Sequence, residues 1–278
     1  MKISVLLATF NRKEKTLTCL DSLYRQVTTL APGELKIEVF LTDDASADGT
    51  VEAVQTRYPD VHIFKGSGSL FWAGGMRNSW TAARKTDPDF YLLLNDDTLL
   101  EAGALGKLLA CNRSAICVGS TSDGKKISYG GHNLIHQNRV QYINVFSEDQ
   151  YLPCDLANAN IMLVPREVVA SIGILSTAFT HSIADFDYSL RAKKAGFNVL
   201  VAPGILGHCT DDHGNNWKSS ATRLTDRIRY LKSPKGLAYS EYLYFIRQHF
   251  PTHLPAAFLK LWMKTLFPLI WDRLKSQA

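Results

Sequence analysis

The stretch Tyr91-Leu92-Leu93-Leu94-Asn95-Asp96-Asp97-Thr98 constrains this chain more than any other. An unbroken apolar run leads straight into an amide and two carboxylates. Such a run reads as a strand buried on both faces of a parallel sheet. The carboxyl ends of strands of this kind open into the crevice where open α/β sheets bind their ligands. Adjacent carboxylates repel, so a cation is expected beside Asp96 and Asp97. A divalent metal carrying a phosphate-bearing substrate meets that need, because hard cations take oxygen ligands. The competing reading is a cap, in which Asp97 or Thr98 opens a helix near Leu100.

The same rhythm recurs upstream. Residues 2–8 are apolar and end in Thr9-Phe10-Asn11-Arg12. Residues 13–26 carry Leu17, Leu20 and Leu23 near helical spacing. Residues 36–42 form a second strand that ends in Asp43-Asp44-Ala45-Ser46-Ala47-Asp48-Gly49-Thr50. A helix over 50–57, a strand over 61–64, a turn at 66–69 and a helix over 75–85 follow. Strands alternating with helices at this spacing predict a parallel, doubly wound sheet. Beyond residue 113 the rhythm loosens. A strand is expected over 115–121, then a partly antiparallel region with strands at 126–130 and 139–146. Residues 158–164 are apolar and precede Pro165, a suitable first residue for a short helix. A helix over 185–195 is stopped by Gly196. A strand over 197–202 ends in Pro203-Gly204, and 219–250 is mainly helical with a break near Ser233-Pro234.

Charge is unevenly placed. From Lys218 onward there are 11 Lys/Arg against 3 Asp/Glu, in a chain whose formal net charge is +5. A basic C-terminal part points to an anionic surface. No nucleic-acid motif accompanies it, so nucleic acid is not an expected partner. Five cysteines without a CxxC pair give neither a zinc site nor a disulfide framework, and point to a reducing compartment. Met1-Lys2-Ile3-Ser4 leads directly into the first strand with no secretory leader, so a cytoplasmic location is expected.

Several polar clusters are candidates for ligand contact. Thr9, Asn11 and Arg12 sit at a strand end facing the crevice, or form an ordinary connecting loop. Asp43 can accept a hydrogen bond from a base N–H or a ribose hydroxyl, while Ser46 and Asp48 can cap the next helix. In Gly66-Ser67-Gly68-Ser69-Leu70-Phe71-Trp72-Ala73-Gly74-Gly75-Met76-Arg77-Asn78 the glycines, Gly75 among them, allow close backbone approach, and Arg77 can pair with a phosphate. The bland reading is a turn followed by a buried Trp72. The segment lacks the GK[ST] of a Walker A loop. Gly207-His208-Cys209-Thr210-Asp211-Asp212-His213-Gly214 crowds two histidines and two acids into one loop, making His208 and His213 rival candidates.

In order and spacing these motifs resemble the family 2 glycosyltransferases of the GT-A fold, over roughly residues 1–210. The resemblance implies a mixed, mainly parallel α/β sheet flanked by helices. It implies a nucleotide-sugar donor contacted by Thr9, Asn11, Arg12, Asp43, Gly75, Arg77, Asn95 and Asp96. It also implies Mg2+ or Mn2+ on the donor diphosphate, held by Asp97 and approached by His208. Asn95 stands where the family's first acid stands and brings hydrogen bonding without charge. His181-Ser182-Ile183-Ala184-Asp185-Phe186-Asp187-Tyr188-Ser189-Leu190-Arg191 is similar to the family's ED-x-D-L-x-x-R segment, with Ala184 in place of Glu. Asp185 matches the catalytic base, which would take the acceptor hydroxyl's proton; by residue type alone it is also a helix cap. Asp187 and Arg191 are spaced to pair at i,i+4. The glycine-rich segment looks like that of bacterial rhamnosyltransferase-like members. From it follows dTDP-L-rhamnose as expected donor, while the family resemblance together with the basic C-terminal part implies a growing, lipid-linked or surface glycan as expected acceptor.

The chain is expected to divide into a catalytic part, residues 1–215, and a helical extension, residues 216–278. Within 254–275, Phe258, Leu259, Leu261, Trp262, Met263, Leu266, Phe267, Leu269, Ile270 and Trp271 are apolar. Lys260 and Lys264 interrupt them and Pro268 should kink the helix, which argues against a membrane span. An interfacial helix on the inner face of the cell membrane fits, and so does packing on the catalytic part or on a second copy in a homodimer. Two other function classes compete. A sugar-1-phosphate nucleotidylyltransferase would need a glycine-rich phosphate loop where Thr9-Phe10-Asn11-Arg12 stands. A non-catalytic assembly protein would suit Asn95 and Ala184.

Overall fold

The computed structural model describes residues 1–28, 35–209 and 222–270. The elements run β1 (Lys2–Thr9), α1 (Lys13–Thr28), β2 (Lys36–Asp43), α2 (Thr50–Arg57), β3 (His62–Lys65), α3 (Phe71–Ala83), β4 (Phe90–Leu94) and β5 (Leu99–Leu100). They continue with α4 (Ala104–Leu109), β6 (Ile116–Ser122), β7 (Ile127–Tyr129), β8 (Gly131–Leu134), β9 (Tyr142–Val145), β10 (Leu152–Pro153), β11 (Leu156–Ala157) and β12 (Ile161–Pro165). The last are α5 (Arg166–Ile172), α6 (Ala184–Lys194), β13 (Val199–His208), α7 (Leu224–Lys232), α8 (Tyr239–His249) and α9 (Leu254–Leu266).

The main sheet has the order β10-β13-β6-β12-β4-β1-β2-β3. β4, β1, β2 and β3 are parallel neighbours, and β6 and β13 are parallel to each other. β12 lies antiparallel between β4 and β6. β4 is buried along its whole length. Tyr91 and Leu93 enter the apolar layer formed with Met76, Trp80, Tyr188, Phe245 and Ile246, from α3, α6 and α8. Phe90, Leu92 and Leu94 enter the opposite layer with Leu20, Leu23, Val54, Leu105 and Leu108, from α1, α2 and α4. Alternation on a strand covered on both faces explains the unbroken apolar run.

A second sheet, β11-β8-β9, stands beside α6. The Ser189 hydroxyl receives the Ala157 N–H at 3.2 Å, and Lys193 pairs with Asp155.

Three expectations are corrected. No helix opens near Leu100: Leu99 and Leu100 pair with His208 and Gly207 of β13. α4 begins only at Ala104, behind Gly103 at φ 76°, so Asp97 and Thr98 are not its caps. The last strand does not end at Pro203-Gly204 but continues to His208. The ladder with β6 shifts register between Val201 and Ile205. That bulge accommodates a proline with no N–H to donate and Gly204 at φ 76°. Finally, α3 starts at Phe71 rather than at residue 75. The Asp44 carboxylate accepts from Gly68 N at 2.7 Å and from Phe71 N at 3.0 Å, taking up free N–H groups at the helix start.

Candidate active site

Parallel pairing brings the carboxyl ends of β1, β2 and β4 to one edge of the sheet, with Thr9 directly opposite Asp43. The antiparallel β12 begins at this edge, and the carbonyl of Asn160 receives the Asn95 N–H at 3.0 Å. β13 ends there at His208.

The first two loops are stapled together. Asn11, at φ 51°, donates its N–H to Ser46 Oγ at 2.8 Å and accepts from Ala47 N at 2.8 Å. Asp48 accepts from Lys13 N at 3.0 Å and Thr50 N at 3.1 Å, the structural role expected of it. Asp43 is buried; its Oδ2 accepts from Ser46 N at 2.9 Å, while its Oδ1 has no partner among the described residues.

The expected cation beside Asp96 and Asp97 is present in the chain itself. Arg12 reaches Asp97 Oδ2 at 2.6 Å and Asp96 Oδ1 at 3.2 Å. Asp96 is 5% exposed and its Oδ2 has no partner among the described residues. Burial pushes its pKa up to about 6; Asp97 adds to the rise, and Arg12 and the Thr9 hydroxyl oppose it. Thr9 is itself buried and meets the Thr16 hydroxyl at 2.9 Å.

Asn95 is held by Trp72, whose indole N–H donates to Asn95 Oδ1 at 2.7 Å. An indole only donates, so the amide oxygen must face it, leaving the amide NH2 as a donor pair. Asp97 Oδ1 receives the Cys209 thiol at 3.5 Å, and burial first, then the Asp97 charge, push that thiol up to about 12.

His208 and Asp97 border one open pocket of about 180 Å³, with Ser122, Asp123 and Cys209. His208 Nε2 meets Glu101 Oε1 at 2.6 Å. Asp211, Asp212 and His213 lie outside the described residues. Among those described, no three His, Cys, Asp or Glu side chains converge as a ready-made metal cage. A cation bound with a diphosphate needs less. Mg2+ in such sites takes one or two carboxylates and fills its shell with phosphate oxygens and water. Asp97 at the pocket wall fits that donor set, and the next carboxylate in the chain, Asp96, has its buried Oδ2 without a partner among the described residues.

Two predicted residues have other work. Gly75 is buried where α3 crosses the sheet, and a Cβ there would lie 2.6 Å from Ala8 Cβ, so its bareness serves helix–strand packing. Arg77 donates to the carbonyls of Ser176 at 2.8 Å and Phe179 at 2.7 Å, which ties α3 to the approach to α6.

Asp185 sits in the first turn of α6 but does not cap it; Ile183 is the N-cap and makes no side-chain cap bond. The Asp185 carboxylate turns toward β12, with Oδ2 accepting from Ala159 N at 3.2 Å and Asn158 Nδ2 at 3.5 Å, and Oδ1 accepting from Phe186 N at 2.9 Å. Burial raises its pKa against these hydrogen bonds, a shift that suits a base. Asp187 pairs with Arg191 at 2.8 Å as its spacing predicts, and also with His249 of α8 at 2.8 Å. The motifs did not single out Asn158 or the aromatic group beside it. Their trace in the sequence is the pair Asn158 and Asn160 just before the apolar run of β12.

Similar solved structures share this architecture. The mannosyltransferase PcManGT from Pyrobaculum calidifontis, in complex with GDP-Man and Mn2+, matches with a TM-score of 0.57 at 16% identity, over 96% of this chain and 70% of its own. S. aureus TarS 1-349, in complex with UDP-GlcNAc, matches with a TM-score of 0.56 at 15% identity, over 90% of this chain and 73% of its own. The fold is that of the GT-A glycosyltransferases. No curated protein matches in sequence. The family profile described as "Glycosyl transferase family 2" matches residues 4–148, just over half of the chain and the part that holds the first three strand-end motifs, and the chain therefore belongs to glycosyl transferase family 2.

Proposed function

We propose that this glycosyltransferase transfers a sugar, with inversion, from a nucleoside-diphosphate sugar to a hydroxyl of a growing glycan or lipid-linked acceptor. One observation carries the reading: two buried carboxylate oxygens without a partner among the described residues, Asp43 Oδ1 at the end of β2 and Asp96 Oδ2 just after β4, lie at one sheet edge. Buried polar atoms are rarely left without partners. Here they suit a ligand that brings hydroxyl or N–H donors and a cation. Asp43 would accept from the base or ribose, and the Asn95 amide, oriented by Trp72, would donate to donor oxygens. Asp97, with His208 at the same pocket, would hold Mg2+ or Mn2+ against the diphosphate. When bound, such an ion stabilises the charge that develops on the departing diphosphate.

Asp185 would take the proton of the acceptor hydroxyl as its oxygen bonds to the anomeric carbon and the bond from that carbon to the diphosphate oxygen breaks. Its raised pKa and its hydrogen bonds from Ala159 and Phe186 support a positioned, basic carboxylate. Direct displacement, with inversion, needs only this base and a held leaving group. The proposed donor sugar is rhamnose, as dTDP-L-rhamnose, on the likeness of residues 66–78 to rhamnosyltransferase-like members; the similar structures carry GDP-Man and UDP-GlcNAc.

Residues 1–215 would form the catalytic part and 216–278 an extension that meets the inner membrane surface. No helix among the described residues is long and apolar enough to cross a membrane. Phe258, Leu259, Leu266, Phe267, Leu269 and Ile270 are exposed, while Ala257, Leu261 and Thr265 face inward. An exposed apolar face with Lys260 and Lys264 nearby suits an anionic interface.

The test is calorimetric binding of dTDP-L-rhamnose, GDP-mannose and UDP-GlcNAc, with and without Mn2+, to the wild-type chain and to Asp97→Ala. Mn2+-dependent binding of one donor, lost in the variant, is expected. Binding of none of the three would remove the reading.

A further inference from the structure

The second sheet presents an aromatic group to the side of Asp185. Tyr142 on β9 lies opposite Leu134, and Asn144 lies opposite His132. The His132 ring is 4.6 Å from that of Tyr142, and Phe186, the residue after Asp185, meets both rings edge-on at 5.6 Å. His132 is buried and joined at both nitrogens: Nδ1 to Asn144 at 2.9 Å and Nε2 to Asn158 Oδ1 at 2.9 Å. The other end of the Asn158 amide points at Asp185 Oδ2. One connected set of side chains therefore fixes both the carboxylate and the aromatic rings. Yet Tyr142, at its outer end, stays 42% exposed.

We propose that Tyr142, flanked by the Asn144 amide, is a platform for an acceptor sugar, on which a pyranose ring stacks and presents one hydroxyl to Asp185. The inference rests on the glycosyl-transfer reading above and names the acceptor's side of it. Three observations favour a sugar ring over a lipid tail or a peptide. The platform is one aromatic ring wide and bordered by an amide and a carboxylate, which match the apolar C–H face and hydroxyl rim of a pyranose. It lies on the small sheet and α6, whereas the acceptors left to a donor among the described residues, Asp43 Oδ1 and Asp96 Oδ2, lie at the ends of β2 and β4. Its rings are locked by His132 and Asn158, so little ordering is needed on binding. Burial, then the nearby Asp185 charge, raise the Tyr142 phenol, in keeping with that proximity.

Saturation-transfer NMR tests this with four probes: the methyl glycosides of L-rhamnose, D-mannose, D-glucose and N-acetylglucosamine, with glycerol as the non-ring control. At least one glycoside should saturate through its ring C–H protons in the wild-type chain and in Tyr142→Phe. The effect should fall at least tenfold in Tyr142→Ala and persist in Ile143→Ala, a control at the neighbouring exposed position. No saturation of any glycoside, equal saturation in Tyr142→Ala, or equal loss in Ile143→Ala would overturn the platform. Nucleotide-sugar calorimetry on the same samples separates the two readings. Donor binding that survives while Tyr142→Ala is indifferent sinks the platform alone; no donor binding in the wild-type chain sinks the transfer reading and the acceptor role with it.

Discussion

Asp96 is a costly residue to keep, and the cost can be measured. Burial raises its pKa from 3.8 to about 6 in the folded chain, despite Arg12 and Thr9. A folded carboxyl that holds its proton more tightly than the unfolded one contributes most to stability below pH 3.8. That contribution is lost as the pH rises through the folded pKa. At 1.36 kcal/mol per unit the full penalty is about 3 kcal/mol above pH 7, of which about 1.4 kcal/mol develops between pH 5 and pH 8. Asp96→Asn removes the titration. Whatever fixed cost the new amide brings beside the unpartnered position, the stability of the variant relative to wild type should grow by about 1.4 kcal/mol from pH 5 to pH 8. With an m-value of about 3 kcal/mol/M, the urea midpoints should diverge by about 0.5 M over that range. The assay is urea unfolding in EDTA at half-unit pH steps. A difference between variant and wild type that stays flat across the range would refute the reasoning, because it would show Asp96 ionised throughout and fully compensated by Arg12.

Three further outcomes are expected. Asp185→Asn should bind donor as wild type does and lose about 10²–10⁴ in transfer rate; in the wild-type chain, transfer should fall on the acid side with a midpoint above 3.8, since burial raises the Asp185 pKa. Full transfer by the variant would take Asp185 out of the role. Asp187→Ala removes the carboxylate that Arg191 and His249 both meet at 2.8 Å, leaving the Arg191 charge only the carbonyls of Ile172 and Ile174. Loss of a buried partner costs about 3–5 kcal/mol, so the melting temperature should drop by on the order of 10 °C, and a drop under about 2 °C would contradict the pairing. Leu259 and Leu269 are 60% and 63% exposed, and Leu259→Glu with Leu269→Glu should abolish sedimentation with anionic vesicles. Unchanged sedimentation would end the membrane proposal.

Local pattern carried the parallel half of the sheet. β1, β2 and β4 are apolar runs that stop at polar residues, and α1 and α6 show helical spacing, so their positions were legible to within a residue or two. Long-range pairing was not legible. Arg12 and Asp97 are 85 residues apart and nothing in either neighbourhood specifies that the cation expected beside the acids is this arginine. Trp72 reads as an ordinary core residue until β4 and α3 are seen to place its indole on Asn95. Gly75 reads as a ligand-approach glycine because composition cannot distinguish bareness needed by a phosphate from bareness needed by Ala8. Pro203-Gly204 reads as a strand end because proline breaks a regular ladder, and that expectation relaxes at the bulge found there. Of the small sheet beside Asp185 only β9, inside the strand expected over 139–146, is legible; β8 and β11 have four and two residues, too short for period-two alternation to show.

The position of Asn95 follows from the same charge balance that makes Asp96 expensive. Asp96 and Asp97 share one arginine group, through a single nitrogen at 3.2 Å and 2.6 Å. A third carboxylate at position 95 would stand beside them in surroundings where Asp96 already titrates near 6. The side chain at this position meets the uncharged Trp72 indole, so a carboxylate there would raise the pKa of its neighbours further. Asparagine keeps the acceptor that Trp72 needs and adds two donors without charge. The pair with its arginine carries one net negative charge when both acids are ionised. In the metal-assisted transfer proposed above, a divalent cation arriving with the diphosphate would offset that charge and, by meeting Asp97, would release Arg12 to a new anionic partner. On this argument the neutral residue at position 95 is matched to the arginine at position 12: the first limits the charge that the second must hold.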